Sequence, residues 1–536
     1  MRKIKHLSLI LLYSLYSMIL LGQNNLKLQE NVLAAMKKAT EFMIEKVSYK
    51  GGYVWYYSPD LSRRWGEMEA YPTMIWTQPP GTPSMGNLFL DAYHATGDEY
   101  YYQAAEEVAN ALIWGQLECG GWNYIIDFAG EQSLKNWYGT IGKNGWRLEE
   151  FQHYYGNATF DDEATFAPAL LLLRIYNEKH DPKYRVPLDK AINFILKSQY
   201  PIGGWPQRYP LRSDFPKGKS PDYSSYITLN DDVHKNNVRF LIMCYQSLGD
   251  ARLLEPIRRA MNCILLLQQG YPQAGWSWQY TTDLEPTGAR TYEPAGFYSG
   301  ATYSCIEMLM DYYEITGETK FLARVPDALE YMKSIQLPDE MAKYFPRKIS
   351  SQQKLYPSCI EAVTNKPIYV HRLGSNYTSG IYYGDYNPEF QWMPTFSMRV
   401  FNIDLLAERY NRLIKLSHDE VIKDSPIKSK TMISLPRYIS GNYNKISVEE
   451  IEKVIKSLGS KEYWEGVFAN SNPYIGDGPE QPTPGDFRCT QVGDKYDTSP
   501  FRFGEDFKGI TTSDYISNMF KLICFLEEQQ KLQKQP

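Results

Sequence analysis

Three short stretches of the 536-residue chain collect groups that can do acid–base or metal chemistry. "ATFDDEAT" (158–165) sets Asp161, Asp162 and Glu163 side by side, just ahead of apolar helical text. "YITLNDDVHKNN" (226–237) does the same with Asn230, Asp231, Asp232 and His234. "EPTGARTYEP" (285–294) holds Arg290 between Glu285 and Glu293, just after the aromatic cluster "GWSWQY". Clustered carboxylates with an amide oxygen suit a hard cation such as Ca²⁺, which takes roughly six to eight oxygen ligands. The same acids also suit helix starts, where capping contributes about 1 kcal/mol. Two acidic pairs at matching places in neighbouring repeats are harder to assign to capping alone. Arg290 likewise has two readings, an ion pair with Glu285 or Glu293, or a group facing a substrate.

The chain has no EF-hand loop, so a calcium site has to be assembled from distant segments. It also lacks G-x-S-x-G, H-E-x-x-H, a P-loop and a dinucleotide fingerprint. His234 is the one histidine inside an acidic cluster, and a structural role is expected for it.

The elements that must position these groups show as an internal repeat. Copies end in Gly-Gly-Trp or Ala-Gly-Trp at Trp122, Trp205 and Trp276, with a partial copy before Tyr53 and another around Gly317. Each contains two amphipathic stretches joined at Asp98, Asp181, Asp250 or Glu318. Gly97, Gly249 and Gly317 suit a helix C′ position, and the acid after each can cap the next helix. Strand signals are weak. The expected fold is therefore all-α, with helical hairpins stacked into a solenoid or closed into an α/α toroid, and with the Gly-Trp ends on one rim. Residues 24–400 are assigned to that domain, and 401–536 to a mixed C-terminal extension completing it or packing on it.

Residues 1–23 read as a secretory signal peptide: Arg2, Lys3 and Lys5 precede an apolar run from Leu7 to Leu21. A periplasmic or extracellular, monomeric protein without membrane attachment in its mature form is expected. The net charge of −5 and the lack of a basic run argue against nucleic acid as a partner. The 44 tyrosines suit either core filling or a groove that stacks on sugars. The seven cysteines are scattered without zinc spacing, and Cys244, Cys263 and Cys524 lie in apolar text as expected core thiols.

Taken in order, "GGWPQRYP", "YITLNDD", "WSWQY", "LEPTGARTYEP" and "VTNKPIYVHRLG" resemble the pectate lyases of polysaccharide lyase family 10. The resemblance covers roughly residues 30–390. It implies an α/α toroid and calcium-assisted β-elimination on polygalacturonate, an acidic polysaccharide. It also implies Asp161 and Asp231 as calcium ligands with Asp232 assisting, and Arg290 as the base. Lys366 and Arg372 would bind neighbouring carboxylates, with Arg208, Trp205, Tyr226, Asn230 and Trp278 as further substrate contacts. Lys366 stands where the family usually has arginine, which keeps charge but loses the bidentate fork. Two other functions stay open: a glycoside hydrolase using paired carboxylates such as Glu163 with Asp232, and a non-catalytic glycan-binding protein.

Overall fold

The computed structural model describes residues 26–142, 149–212, 222–373, 381–389, 391, 393–428, 446–467 and 507–533. The expected signal peptide lies outside them. Helix α1 spans residues 26–42 and opens at its end into a π-helical turn, Met43–Val47. Four helical hairpins follow. They are α2 (Thr82–Thr96) with α3 (Glu99–Trp114) and, after the short α4 (Glu131–Trp137), α5 (Phe166–Lys179) with α6 (Pro182–Ser198). Next come α7 (Val233–Leu248) with α8 (Leu254–Leu267), and α9 (Ser299–Thr316) with α10 (Val325–Ser334). The remaining helices are α11 (Pro394–Ser397), α12 (Ile403–Leu413), α13 (His418–Ile422), α14 (Val448–Leu458) and α15 (Thr512–Gln533).

The hairpin turns follow from a few residues. Gly97, Gly249 and Gly317 close α2, α7 and α9 with φ of 71°, 66° and 72°. His180 takes the same left-handed place after α5 with φ 52°. Each donates its N–H to the carbonyl of a tyrosine four residues back: Tyr93, Tyr176, Tyr245 or Tyr313. Asp98, Asp181 and Asp250 then accept from the backbone N–H two residues on, capping the next helix. Glu318 makes no such cap bond and pairs with Lys320 instead.

The repeated tryptophans are fully buried, and their role is structural. Trp122, Trp205 and Trp276 donate their indole N–H to the carbonyls of Leu112, Ile195 and Ile264, on the outer helix just before. Gln116, Gln199 and Gln268 reach onward to the carbonyls of Pro187, Pro256 and Arg324, tying each outer helix to the next. Trp464 repeats the tryptophan bond to Val454 of α14. That bond carries the same tryptophan feature beyond residue 400.

Helix α2 packs on α5, and α5 on α7, forming an inner layer. The ring closes where α15 packs on α2. Thr40 of α1 bonds the Tyr515 hydroxyl, and strand Lys508–Thr511 pairs antiparallel with Tyr56–Tyr57. The protein is an all-α toroid, as its repeats predict. Short antiparallel pairs lead into the inner helices on one rim. Met74–Trp76 pairs with Ile125–Asp127, Ala158–Thr159 with Arg208–Tyr209, Ile227–Thr228 with Gln279–Tyr280, and Phe297–Tyr298 with Cys359–Ile360. A β-hairpin, Pro367–Leu373 with Ile381–Asp385, lies beside that rim. Cys244, Cys263 and Cys524 are buried in the core. No described helix is long and apolar enough to cross a membrane.

Candidate functional site

The lead-ins to α5 and α7 are built alike. Each short strand runs into a 3₁₀ turn, Asp161–Glu163 or Asn230–Asp232. In each turn two successive acids are left-handed: Asp162 and Glu163 at φ 46° and 62°, Asp231 and Asp232 at φ 51° and 53°. Non-glycine residues avoid this region, and aspartate tolerates it better than most, so the strain marks a position selected for its side chain. The positional match is Asp161 with Asn230, Asp162 with Asp231, and Glu163 with Asp232.

Because the two inner helices pack side by side, these turns face each other. Asp161, Asp162 and Asp231 each bring a carboxylate oxygen within 4.8 Å of the other two. Asp161 is fully buried and accepts the Tyr124 hydroxyl at 2.5 Å, while its Oδ1 has no partner. Asp162 is held by Gln78 Nε2 at 2.9 Å, which also donates to Glu67 at 3.1 Å. The Asp231 side chain is 35 % exposed. It accepts Asn230 Nδ2 at 2.6 Å, and Gln279 supports that asparagine at 3.3 Å.

Arg290 reaches this cluster from the loop before α9. Its Nε and Nη2 grip Glu293 at 2.7 and 2.9 Å, so the ion pair anticipated from the sequence exists, with Glu293 as the partner. Its outer edge faces the acids, with Nη1 3.6 Å from Asp161 Oδ2 and 3.5 Å from Glu150 Oε1, and Nη2 3.5 Å from Asp231 Oδ2. Glu150 is buried and accepts the Tyr292 hydroxyl at 3.2 Å.

The charges are strongly coupled. Burial works against the Asp161 carboxylate, but Arg290, hydrogen bonds from Asp231 and Tyr124, and Arg208 outweigh it and hold the group below the usual carboxylate range. Burial and the neighbouring Asp161 push Asp162 and Asp231 well above that range, and Glu67 adds to the push on Asp162. Glu150 is raised by burial despite Arg290. Burial disfavours charge on Arg290, yet Glu293, Tyr292, Glu150 and Asp161 override it and keep the guanidinium firmly protonated.

The structure thus brings together Asp161, Asp231, Asn230 and Arg290, and it revises other expectations. Asp232 lies outside the three-carboxylate group: it is exposed at the N-cap of α7 without a cap bond. Asp162 takes the inward place instead. Trp205 is a core residue and does not reach the cleft. Arg208 is buried behind Asp161, bonded to Asn123 at 3.3 Å and facing the Tyr124 and Tyr155 rings, with Nε and Nη2 unpartnered. It supports the site and does not touch solvent-borne substrate. Trp278 is half-buried and stacks on Tyr298 at 3.9 Å, and Tyr226 is half-buried at the edge of its strand. Lys366 is exposed, with its ammonium 4.8 Å over the Tyr386 ring, and no described contact joins it to the acids. Arg372 lies on the Pro367–Leu373 strand opposite Tyr382, and its side chain is outside the described residues. Sequence reasoning missed Tyr124, Gln78, Glu67 and Glu150, whose spacing carries no signal.

Residues 135–300 match the model of the pectic acid lyase family. No curated protein matches the chain by sequence. Among solved structures, a mutant of the family 10 polysaccharide lyase from Cellvibrio cellulosa, in complex with trigalacturonic acid, aligns with a TM-score of 0.41 at 17% identity. That alignment covers 62% of this chain and 98% of that one. Cellobiose 2-epimerase from Spirochaeta thermophila aligns with a TM-score of 0.41 at 8% identity, over 95% of this chain and 98% of that one. The stretch matched by the family model contains Glu150, Asp161, Asp162, Asp231, Arg290 and Glu293, the whole charged cluster apart from Glu67. By that match, the stretch that carries the charged cluster is similar to the pectic acid lyases.

Proposed function

We propose that the protein cleaves (1,4)-α-D-galacturonan by calcium-dependent β-elimination outside the cytoplasm, leaving 4,5-unsaturated oligogalacturonides. The observation that carries this reading is Arg290 set against three converging carboxylates inside the matched stretch. The donors fit a hard cation. All are carboxylate oxygens, buried Asp161 Oδ1 lacks any partner, and Asp162 and Asp231 are forced together against their repulsion. Asp161, Asp162 and Asp231 are therefore the residues that would hold Ca²⁺. A bound calcium ion supplies charge neutralisation for a uronate carboxylate, which acidifies the proton beside it.

Arg290 sits at the edge of that cluster, where a uronate lying over Asp161 and Asp231 meets its guanidinium. It takes the C5 proton, the C4–O bond breaks, the departing glycosidic oxygen takes up a proton from solvent, and a C4=C5 double bond remains. No water is consumed and no nucleophile is needed. The carboxylates now facing Arg290 hold its proton firmly. Its basic form therefore depends on their charge being taken up when substrate is in place. Asp161 stays ionised throughout because Arg290, Tyr124 and Arg208 favour its anion over the cost of burial. A glycoside hydrolase is less well matched: it needs two carboxylates flanking the scissile bond, whereas these three converge on one point.

The deciding experiment follows ultraviolet absorbance while the purified protein acts on polygalacturonate, with Ca²⁺ and then with chelator. A rise that stops with chelator establishes calcium-dependent elimination, since hydrolysis creates no conjugated double bond. New reducing ends without absorbance would replace the lyase reading with hydrolysis.

A further inference from the structure

Arg290 is surrounded by carboxylates but does not share itself evenly among them. Glu293 receives three donors: Nε at 2.7 Å, Nη2 at 2.9 Å and the Arg290 backbone N–H at 3.1 Å. The loop is closed around this grip, with Glu293 N–H donating to Arg290 O at 2.8 Å and Ala289 N–H to Glu293 O at 3.1 Å. Asp161 and Asp231, by contrast, stand 3.6 and 3.5 Å from the guanidinium, beyond a normal charged hydrogen bond. Local loop geometry thus parks the arginine beside the two acids without letting it close on them.

We infer that Glu293 is a positioning residue whose ion pair with Arg290 sets the affinity of the Asp161–Asp162–Asp231 cluster for a divalent cation. This inference rests on the proposed function, in which that cluster holds calcium. A guanidinium this close to two ligand carboxylates competes with a cation for them, the more so in a partly buried site where screening is weak. With its charge matched by Glu293, the arginine leaves the acids available. Without that match it closes on Asp161 and Asp231, and the cation has to displace it. Without the arginine, the cation no longer has to compete for the acids and binds more tightly, with or without Glu293.

The test is calorimetric titration of the whole, substrate-free protein with Ca²⁺, with melting temperature followed in each variant. Glu293→Gln is expected to weaken binding about tenfold, Arg290→Gln to tighten it about tenfold, and the double variant to stay within about threefold of Arg290→Gln, since Glu293 acts through the arginine. A purely structural role for Glu293 moves melting temperature but does not produce an affinity loss that disappears once Arg290 is removed. If Glu293→Gln fails to fold, Arg290→Gln against the double variant carries the comparison, and a double variant more than threefold weaker than Arg290→Gln, an effect of Glu293 without its arginine, overturns the inference. Unchanged affinity in a folded Glu293→Gln, or single variants shifting the same way, overturns it while leaving the proposed function intact. Absence of Ca²⁺ binding by the parent protein overturns both.

Discussion

The lead-ins to α5 and α7 share a backbone and differ in chemistry. Both pass from a two-residue strand through a 3₁₀ turn with two left-handed acids into an inner helix. In the first, the leading residue is the buried Asp161, bonded by Tyr124; in the second it is Asn230, which serves its neighbour Asp231. Four residues on, the first has Thr165, whose hydroxyl donates to Thr159 O at 2.7 Å and accepts the Trp122 N–H. The second has His234, packed 5.4 Å from the Trp205 ring and bonded to Ala260. Repetition supplies the strained scaffold, and departures from it supply the site. One copy buries a charge, and the other presents one to the cleft.

That contrast can be broken most directly by exchanging its buried member. Asp161→Ala is expected to lower turnover by about a thousandfold or more, because it removes both a proposed calcium ligand and the counter-charge of Arg290. It also costs about 1–3 kcal/mol of stability by leaving the Tyr124 hydroxyl unpartnered. Product absorbance and denaturant unfolding measure the two effects. If Asn230→Ala proved as damaging to turnover, the asymmetry between the lead-ins would be wrong.

The next effect concerns pH, and it sharpens the contrast at the fourth position. Burial lowers the His234 pKa from 6.5 to about 4, so the folded state holds the ring neutral. The unfolded chain binds the proton more readily, so stability is full above about 6.5 and is lost as pH falls toward 4. The total is about 3 kcal/mol at most. Melting temperature against pH measures this. His234→Thr, which imports the solution used at Thr165, should flatten that acid limb.

Asp162→Asn separates function from stability. Relief of repulsion with Asp161 and Asp231 should raise the melting temperature of the cation-free protein by about 2 °C, while Ca²⁺ binding weakens about tenfold. A destabilised Asp162→Asn protein would show that the bond from Gln78 matters more than the repulsion. The smallest effect lies at the fourth hairpin turn. Glu318→Asp restores the cap its three counterparts make and should add about 0.5 kcal/mol, read from denaturant midpoints.

The repeat was legible because its signals are local. Gly97, Gly249 and Gly317, the capping aspartates and the Gly-Trp ends each act within a few residues of themselves. Trp464 escaped notice because its helix follows unrelated text, although its indole bond repeats the pattern. In the site, the residue types and matched positions of Asp161, Asp231 and Arg290 marked the region. They did not show which acid of each pair turns inward. That depends on two consecutive left-handed residues, which swing Asp162 into the cleft and leave Asp232 outside. Tyr124, Glu150, Gln78 and Glu67 arrive through long-range packing and carry no local mark.

The closure of the ring by α15 and strand Lys508–Thr511 has a consequence for synthesis. The first hairpin and the last helix are neighbours in space, yet nearly the whole chain separates them on the ribosome. A nascent chain can stack its hairpins in order, but α2 keeps an uncovered apolar flank until α15 emerges. Such distant pairing is slow and leaves partly built forms prone to aggregate. The seam between first and last elements is therefore where a chaperone has most to protect, and where a single proteolytic cut would loosen a helix on the opposite end of the sequence.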